Sequence, residues 1–210
     1  KFRLGQIIDK QVICSDCDDF TDVFLKSDEN YGFAMANNIG ISFAIQRESK
    51  YIMLLNNDTV VDTAALGHLF EYIEKNSVNV VIPQIRLFFE PEKIWNCGGE
   101  LTWYGTKRYN YANQYFNTLK FESVMQVSFF TGCAVLFRAE VFKKVGLLSE
   151  NYFFGTEDFN FSQRLVQNSI KVFCLMKSIV YHKVGQTIGK EDLSFSILNH
   201  YLGLYINQKK

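Results

Sequence analysis

The chain has 210 residues, 48% hydrophobic and 16% aromatic, which suits one substantial core in a single domain; with 22 Lys plus Arg against 22 Asp plus Glu, no net field recruits nucleic acid. Five cysteines, among which Cys14-x-x-Cys17 has no second pair of the same spacing, predict a reducing compartment without disulfides. No apolar run approaches the roughly 18 residues of a membrane span and Lys1-Phe-Arg does not open a signal peptide, so the expectation is a soluble, cytoplasmic protein with a small, locally shaped ligand.

In chain order, Gln11 to Cys14 reads as a short strand, the acids Asp16, Asp18, Asp19 and Asp22 as a solvated loop, and Asp22 to Leu25 as another strand. Asn30-Tyr-Gly-Phe-Ala-Met-Ala-Asn-Asn-Ile-Gly-Ile41 then runs into Ile41, Ala44 and Ile45, a helical pattern in which Gly32 permits close approach of a backbone or ligand, and amide side chains offer donors and acceptors. Tyr51 to Leu55 is an apolar run that ends in Asn56, Asn57 and Asp58. As a buried strand it delivers three oxygen-bearing side chains to the carboxyl end of a sheet, where open α/β sheets bind ligands; as a plain strand and turn it does no more than reverse the chain.

Asp62 can cap a helix whose buried face is Leu66, Leu69, Phe70 and Ile73, and Val78 to Ile82 is a strand stopped by Pro83. Strand, helix and strand in that order predict a parallel α/β sheet. From Trp95-Asn-Cys-Gly-Gly99 through Trp103-Tyr-Gly105 the chain is rich in aromatic and glycine residues with little helical period, either a flap over a pocket or a covering hairpin. Val127 to Phe129 and Cys133 to Phe137 read as strand pieces around Thr131-Gly132, and Ala139 to Val145 as a short helix ended by Gly146.

Glu157 and Asp158 open a helix with Phe161 and Leu165 one turn apart, which makes them either catalytic acids or acids that favour the helix dipole behind a Thr156 cap. Val172 to Leu175 and Ile179 to Tyr181 read as two strands, the second delivering His182. An isolated histidine becomes a metal ligand only where partners converge, and the partners here are Asp58 and an acid near residue 157. Gly185 to Gly189 reads as a loop and Leu193 to Ile206 as a closing helix.

Several of these segments occur together in a known order. Asn30-Tyr-Gly-Phe-Ala through Asn38, Leu54-Leu-Asn-Asn-Asp-Thr59, Phe130-Thr-Gly-Cys-Ala134, Val145-Gly-Leu-Leu-Ser-Glu150, Phe153-Phe-Gly-Thr-Glu-Asp158, Arg164-Leu165 and His182 resemble family 2 glycosyltransferases, in their rhamnosyltransferase-like bacterial branch. The resemblance implies an α/β GT-A (Rossmann-like) fold: a mostly parallel central sheet with flanking helices and a smaller aromatic and glycine-rich segment on the acceptor side, all one catalytic domain over residues 1–210.

It further implies transfer, with inversion, of a sugar from a nucleotide-diphosphate donor, dTDP-rhamnose or a UDP-hexose, to a glycan or lipid-linked oligosaccharide. The pathway would be cell-surface polysaccharide synthesis, with the protein peripheral to the inner face of the cell membrane. By the same resemblance Asp58 matches the last acid of the metal-binding DxD-like motif, in which Asn56 replaces the first Asp, so Mn²⁺ or Mg²⁺ would rest on Asp58 and His182. Asp158 matches the catalytic base, with Glu157 as its helper. Asp16, Asn30, Gly32, Asn37, Asn38, Asn56, Asn57 and Asp58 would contact the nucleotide-sugar, and Trp95, Trp103 and Gly132 the acceptor. The family's opening strand, with its Thr-Tyr-Asn-like nucleotide contact, is not recognisable ahead of Asp16. A non-catalytic GT-A-like module that binds nucleotide or glycan is the alternative, and a nucleotidyltransferase would need a phosphate-cradling glycine loop near the start, which is missing.

Overall fold

The computed structural model describes residues 3–8, 11–13, 23–103, 105–152 and 155–184. Asp16, the Cys14/Cys17 pair, the loop from Gly185 and the closing helix lie outside the described residues. A first, three-stranded sheet is formed by β1 (Arg3–Ile8), β2 (Gln11–Ile13) and β3 (Val23–Lys26), with β1 central, antiparallel to β2 and parallel to β3. The strand β1 has no counterpart in the sequence reading.

Helix α1 (Gly32–Gln46) leads into β4 (Tyr51–Leu55), β5 (Thr59–Val61), α2 (Ala65–Lys75), β6 (Val80–Leu87), β7 (Ile94–Asn96), β8 (Gly99–Leu101) and β9 (Lys107–Tyr109). The chain continues through β10 (Val124–Val127), β11 (Ala134–Arg138), α3 (Glu140–Val145), α4 (Glu157–Gln167) and β12 (Val172–His182). The main sheet runs in the order β10, β12, β6, β11, β4, with β5 also on β12 and β7 on β6.

This sheet is mixed rather than mostly parallel. Strands β4 and β6 do point the same way, as the β4–α2–β6 order demands, but β11 inserts between them antiparallel to both. Among the described residues the parallel pairing within this sheet is β6 with β12, and β10, β5 and β7 all add antiparallel. Pro83 does not end β6, because the register of β12 shifts between Leu175 and Ile179 at that point and tolerates a residue without an N–H. The same irregularity joins the two expected strands into the single β12.

The helices cover the sheet through narrow apolar stripes. In α2, Ala65, Leu69 and Ile73 are buried while Leu66 and Phe70 are each 41% exposed, so its stripe is narrower than the pattern predicted. Asp62 starts this helix by accepting the Ala64 N–H rather than by occupying the cap position itself. Phe161 and Leu165, one turn apart on α4, are fully buried, and Phe161 packs edge-on against Phe130 and Phe137. Each such phenylalanine contributes about 1.5–3 kcal/mol on burial, which fixes α4 against β11 and with it the two acids at its start.

Two polar clamps hold the same loop from different helices. Asn38 of α1, 4% exposed, donates to Leu148 O and Glu150 Oε1 and accepts the Leu148 N–H. Arg164 of α4 donates to Val145 O at 3.0 Å and Leu147 O at 2.7 Å. The Val145–Glu150 segment is thereby a structural hub that orients both helices.

Candidate active site

Asp58 and His182 meet although 124 residues separate them. The turn Asn56-Asn-Asp58 carries the chain from β4 into β5, and β5 lies against the end of β12 with Thr59 opposite His182 and the Lys183 N–H on Asp58 O. That register leaves His182 Nε2 3.0 Å from Asp58 Oδ1, with the side chains only 8% and 15% exposed. The other ring nitrogen, Nδ1, is buried without a hydrogen-bond partner among the described residues. Trp95, on β7, packs edge-on against the imidazole at 4.4 Å between ring centres.

The entry to β11 forms the next wall. Asn56 N–H donates to Cys133 O, bringing Thr131 and Gly132 beside the Asn56–Asp58 turn. A Cβ at Gly132 would sit 2.8 Å from Cζ of Phe33, so a glycine lets the first turn of α1 close on this wall. The Cys133 thiol is pushed up to about 12 by burial and by the nearby Asp58 charge, which makes it packing rather than a nucleophile.

Glu157 and Asp158 arrive on a tight turn in which Gly155 and Thr156 are both left-handed, with φ of 74° and 87°. For a β-branched threonine that conformation costs about 1–3 kcal/mol, strain of the kind retained where a side chain must be aimed. Thr156 holds the cap position but makes no side-chain cap bond, so the expected capping role is absent and its geometry serves to place the acids.

Burial raises the Glu157 carboxyl to about 7, the Asp158 charge adding to it while the Glu157 and Gly155 N–H groups and Lys107 oppose it. Its Oε2 has no partner among the described residues. Asp158 is also raised by burial, but Lys107 and the N–H groups of Phe159 and Gly132 pull it back toward the ionised form. The Lys107 ammonium lies 3.9 Å from Asp158 Oδ1 and 4.4 Å from the Phe129 ring centre. Burial alone would lower this lysine, but Asp158, Tyr109 and Glu157 together hold it above its ordinary value.

One cleft of about 410 Å³ is lined by Asn56, Asn57, Asp58, Trp95, Gly132, Glu157, Asp158 and His182, all expected from the sequence, with Lys107 behind Asp158 rather than on its wall. Phe33 also lines it, contributed by the Asn30-Tyr-Gly-Phe segment one residue beyond the glycine singled out there. Other expected contacts do not line it. Asn30 Oδ1 accepts the Gly32 N–H, Asn37 donates to Phe33 O within α1, and Asn38 is committed to the Leu148 clamp. Trp103 stands 95% exposed in the turn of the β8–β9 hairpin, which is the form taken by the aromatic and glycine-rich stretch. Lys107 was invisible in the sequence, where it sits among aromatic residues with no pattern to mark it; pairing of β9 with β8 is what carries it to Asp158.

Among the described residues no group of three or more His, Cys, Asp and Glu side chains gathers to hold an ion. Asp58 and His182 nevertheless fit one. Their 3.0 Å separation is that of neighbouring ligands at right angles on an ion with bonds of about 2.1 Å, and Mg²⁺ commonly takes one or two protein ligands and leaves the rest to phosphate and water. Mn²⁺ accepts imidazole beside carboxylate.

A mixed α/β sheet with flanking helices, an amide and acid turn after β4 and an acid pair at the start of α4 define a GT-A-type fold. Residues 10–146 match Glycosyl transferase family 2, and the chain belongs to that family. The match ends ahead of Glu157, Asp158 and His182, whose place in the site rests on the geometry. No curated protein matches. Among solved structures, the chain is similar to GalNAc-T7 crystallised with UDP, GalNAc and Mn²⁺, at 18% identity and a TM-score of 0.58 over 77% of this chain and 32% of that one. It is also similar to A197 from STIV, at 14% identity and a TM-score of 0.50 over 77% of this chain and 72% of that one. The chain thus spans about a third of GalNAc-T7, and both likenesses concern the fold. No helix among the described residues is long and apolar enough to cross a membrane.

Proposed function

We propose that this chain is a single catalytic domain that transfers a sugar, with inversion, from a nucleotide-diphosphate donor to a carbohydrate acceptor. The observation that carries this reading is the meeting of Asp58 and His182 with Glu157 and Asp158 in one cleft. In a single displacement, the bond from the acceptor oxygen to the anomeric carbon forms as the bond from that carbon to the diphosphate oxygen breaks. Asp158 takes the acceptor hydroxyl proton, and the Lys107 cation favours the ionised form that a base requires against the opposing effect of burial. Glu157, whose carboxyl burial raises to about 7, orients the acceptor or the Asp158 carboxylate.

Asp58 and His182 are the residues that would hold Mn²⁺ or Mg²⁺, and a bound divalent ion supplies charge neutralisation for the departing nucleoside diphosphate. Asn56 and Asn57, whose side chains make no hydrogen bond among the described residues, are free to meet donor hydroxyls or phosphate oxygens. Of donors, dTDP-rhamnose is favoured by the rhamnosyltransferase-like motifs, with a UDP-hexose second. The acceptor is a glycan or lipid-linked oligosaccharide of cell-surface polysaccharide synthesis, met at the inner face of the cell membrane.

Thermal stabilisation by a panel of nucleoside diphosphates and nucleotide-sugars, each with Mn²⁺, Mg²⁺ or chelator, tests the donor side without a known acceptor. Metal-dependent stabilisation by one nucleotide family, lost in Asp58→Ala, is the expected result. No shift with any nucleotide on a folded protein would refute it. An amide at position 56 in place of the first acid of the motif favours one rival, a GT-A-like module that binds donor without turnover, and metal-independent binding with no transfer to any acceptor would select that rival.

A further inference from the structure

A second cavity of about 270 Å³, lined by Trp95, Asn96, Tyr109, Ala112, Asn113 and Thr131, adjoins the cleft, because Trp95 and Thr131 line both. We infer that it is a subsite for the second sugar of an oligosaccharide acceptor, so that the protein prefers acceptors of two or more sugar units. The inference rests on the transferase reading for the word acceptor, but the site itself stands on its own chemistry.

That chemistry is neutral. Among the described residues no charged side chain lines the cavity, which disfavours a phosphate or a carboxylate as occupant, and the amides disfavour a lipid tail. Trp95 and Tyr109 present aromatic surface for the apolar face of a pyranose ring. Asn96 is 2% exposed; its Oδ1 accepts the Gly98 N–H at 2.8 Å, while Nδ2 donates to no described residue. The Asn113 amide likewise has no partner among the described residues. An Asn96 amide nitrogen that can donate and an Asn113 amide that can donate and accept, set beside two aromatic rings, are what a polyhydroxylated ring requires.

The backbone is shaped to present them. Tyr111 and Asn113 are both left-handed, with φ of 53° and 64°, although neither is glycine. The loop is held there by Asn110 N–H on Gly98 O, Asn113 N–H on Ile94 O and Ile94 N–H on Gln114 O. Local strain fixed by three backbone hydrogen bonds is consistent with a surface built for a ligand. Because Trp95 lines both this cavity and the cleft and packs on His182, a sugar seated here would sit beside one bound in the cleft.

An array of neutral mono-, di- and longer saccharides, probed with the full chain with and without UDP or dTDP and Mn²⁺, tests the subsite. Asn113→Gly removes the amide at a φ that glycine adopts without strain, and Ala112→Phe fills the cavity; melting curves confirm that both fold. Expected are binding of saccharides of two or more units with little binding of the matching monosaccharides, at least a tenfold loss in both variants, and unchanged stabilisation by nucleoside diphosphate. No saccharide bound, monosaccharides bound as tightly as disaccharides, or unchanged binding in the variants would each overturn the inference. Oligosaccharide binding sensitive to both variants, without any nucleotide effect, would uphold the subsite while removing the transferase reading.

Discussion

Substituting Glu157 by Gln isolates the cost of holding a carboxyl group in this cleft. Burial, with the neighbouring Asp158 charge, raises Glu157 from 4.5 to about 7, and among the described residues Oε2 finds no partner to offset the loss of water. Because the folded pKa lies above the unfolded one, the native protein holds a proton that the unfolded chain releases as pH rises past about 4.5. Stability therefore falls between about pH 4.5 and 7 and levels off above, by about 3 kcal/mol at about 1.4 kcal/mol per pH unit. Gln keeps the shape and cannot ionise.

Near pH 5 the variant and the parent should thus have similar stability, and at pH 8 the variant should be the more stable by up to about 3 kcal/mol. For a chain of this size each kcal/mol moves the midpoint by about 2–4 °C, so melting curves at both pH values resolve the effect. A stability difference that is the same at pH 5 and pH 8, or a variant that is less stable at pH 8, would refute the cost of burying the Glu157 carboxylate.

Asp158→Asn should leave metal-dependent nucleotide stabilisation intact while transfer falls by about 10²–10⁴-fold, measured as nucleoside diphosphate release in the presence of acceptor; undiminished transfer would remove Asp158 as the base. Lys107→Met keeps the stem on Phe129 but removes the charge that lowers Asp158, so the acid limb of kcat/KM should move to higher pH, with Lys107→Arg restoring part of the shift. An acid limb that stays in place in Lys107→Met would exclude electrostatic support of the base. Arg164→Ala strands the Val145 and Leu147 carbonyls and should cost about 2–4 kcal/mol in urea denaturation; a loss below about 0.5 kcal/mol would show that the loop finds other donors.

The sequence by itself determined the local pieces of this protein. Tyr51–Leu55 is a strand because five apolar residues end in amides and an acid, and Gly146 ends α3 where the helical pattern stops. The candidate-site residues Asp58, Glu157, Asp158 and His182, which share one cleft, were legible because each closes or opens an element, where side chains reach solvent or ligand. Asn38 showed its limits: a motif asparagine was readable as polar, but whether it faces a ligand or clamps Leu148 depends on how α1 sits, which no local pattern encodes.

Tertiary structure alone decided the rest. Antiparallel insertion of β11 made the sheet mixed, and the bulge in β12 allowed Pro83 inside a central strand. The register of β5 on β12 brought Asp58 to His182, and the β8–β9 hairpin carried Lys107 to Asp158. The physical reason is the same in each case. Pairing between distant strands is set by which faces bury together across the whole sheet, so a contact spanning 124 residues is a property of the packed core rather than of either segment.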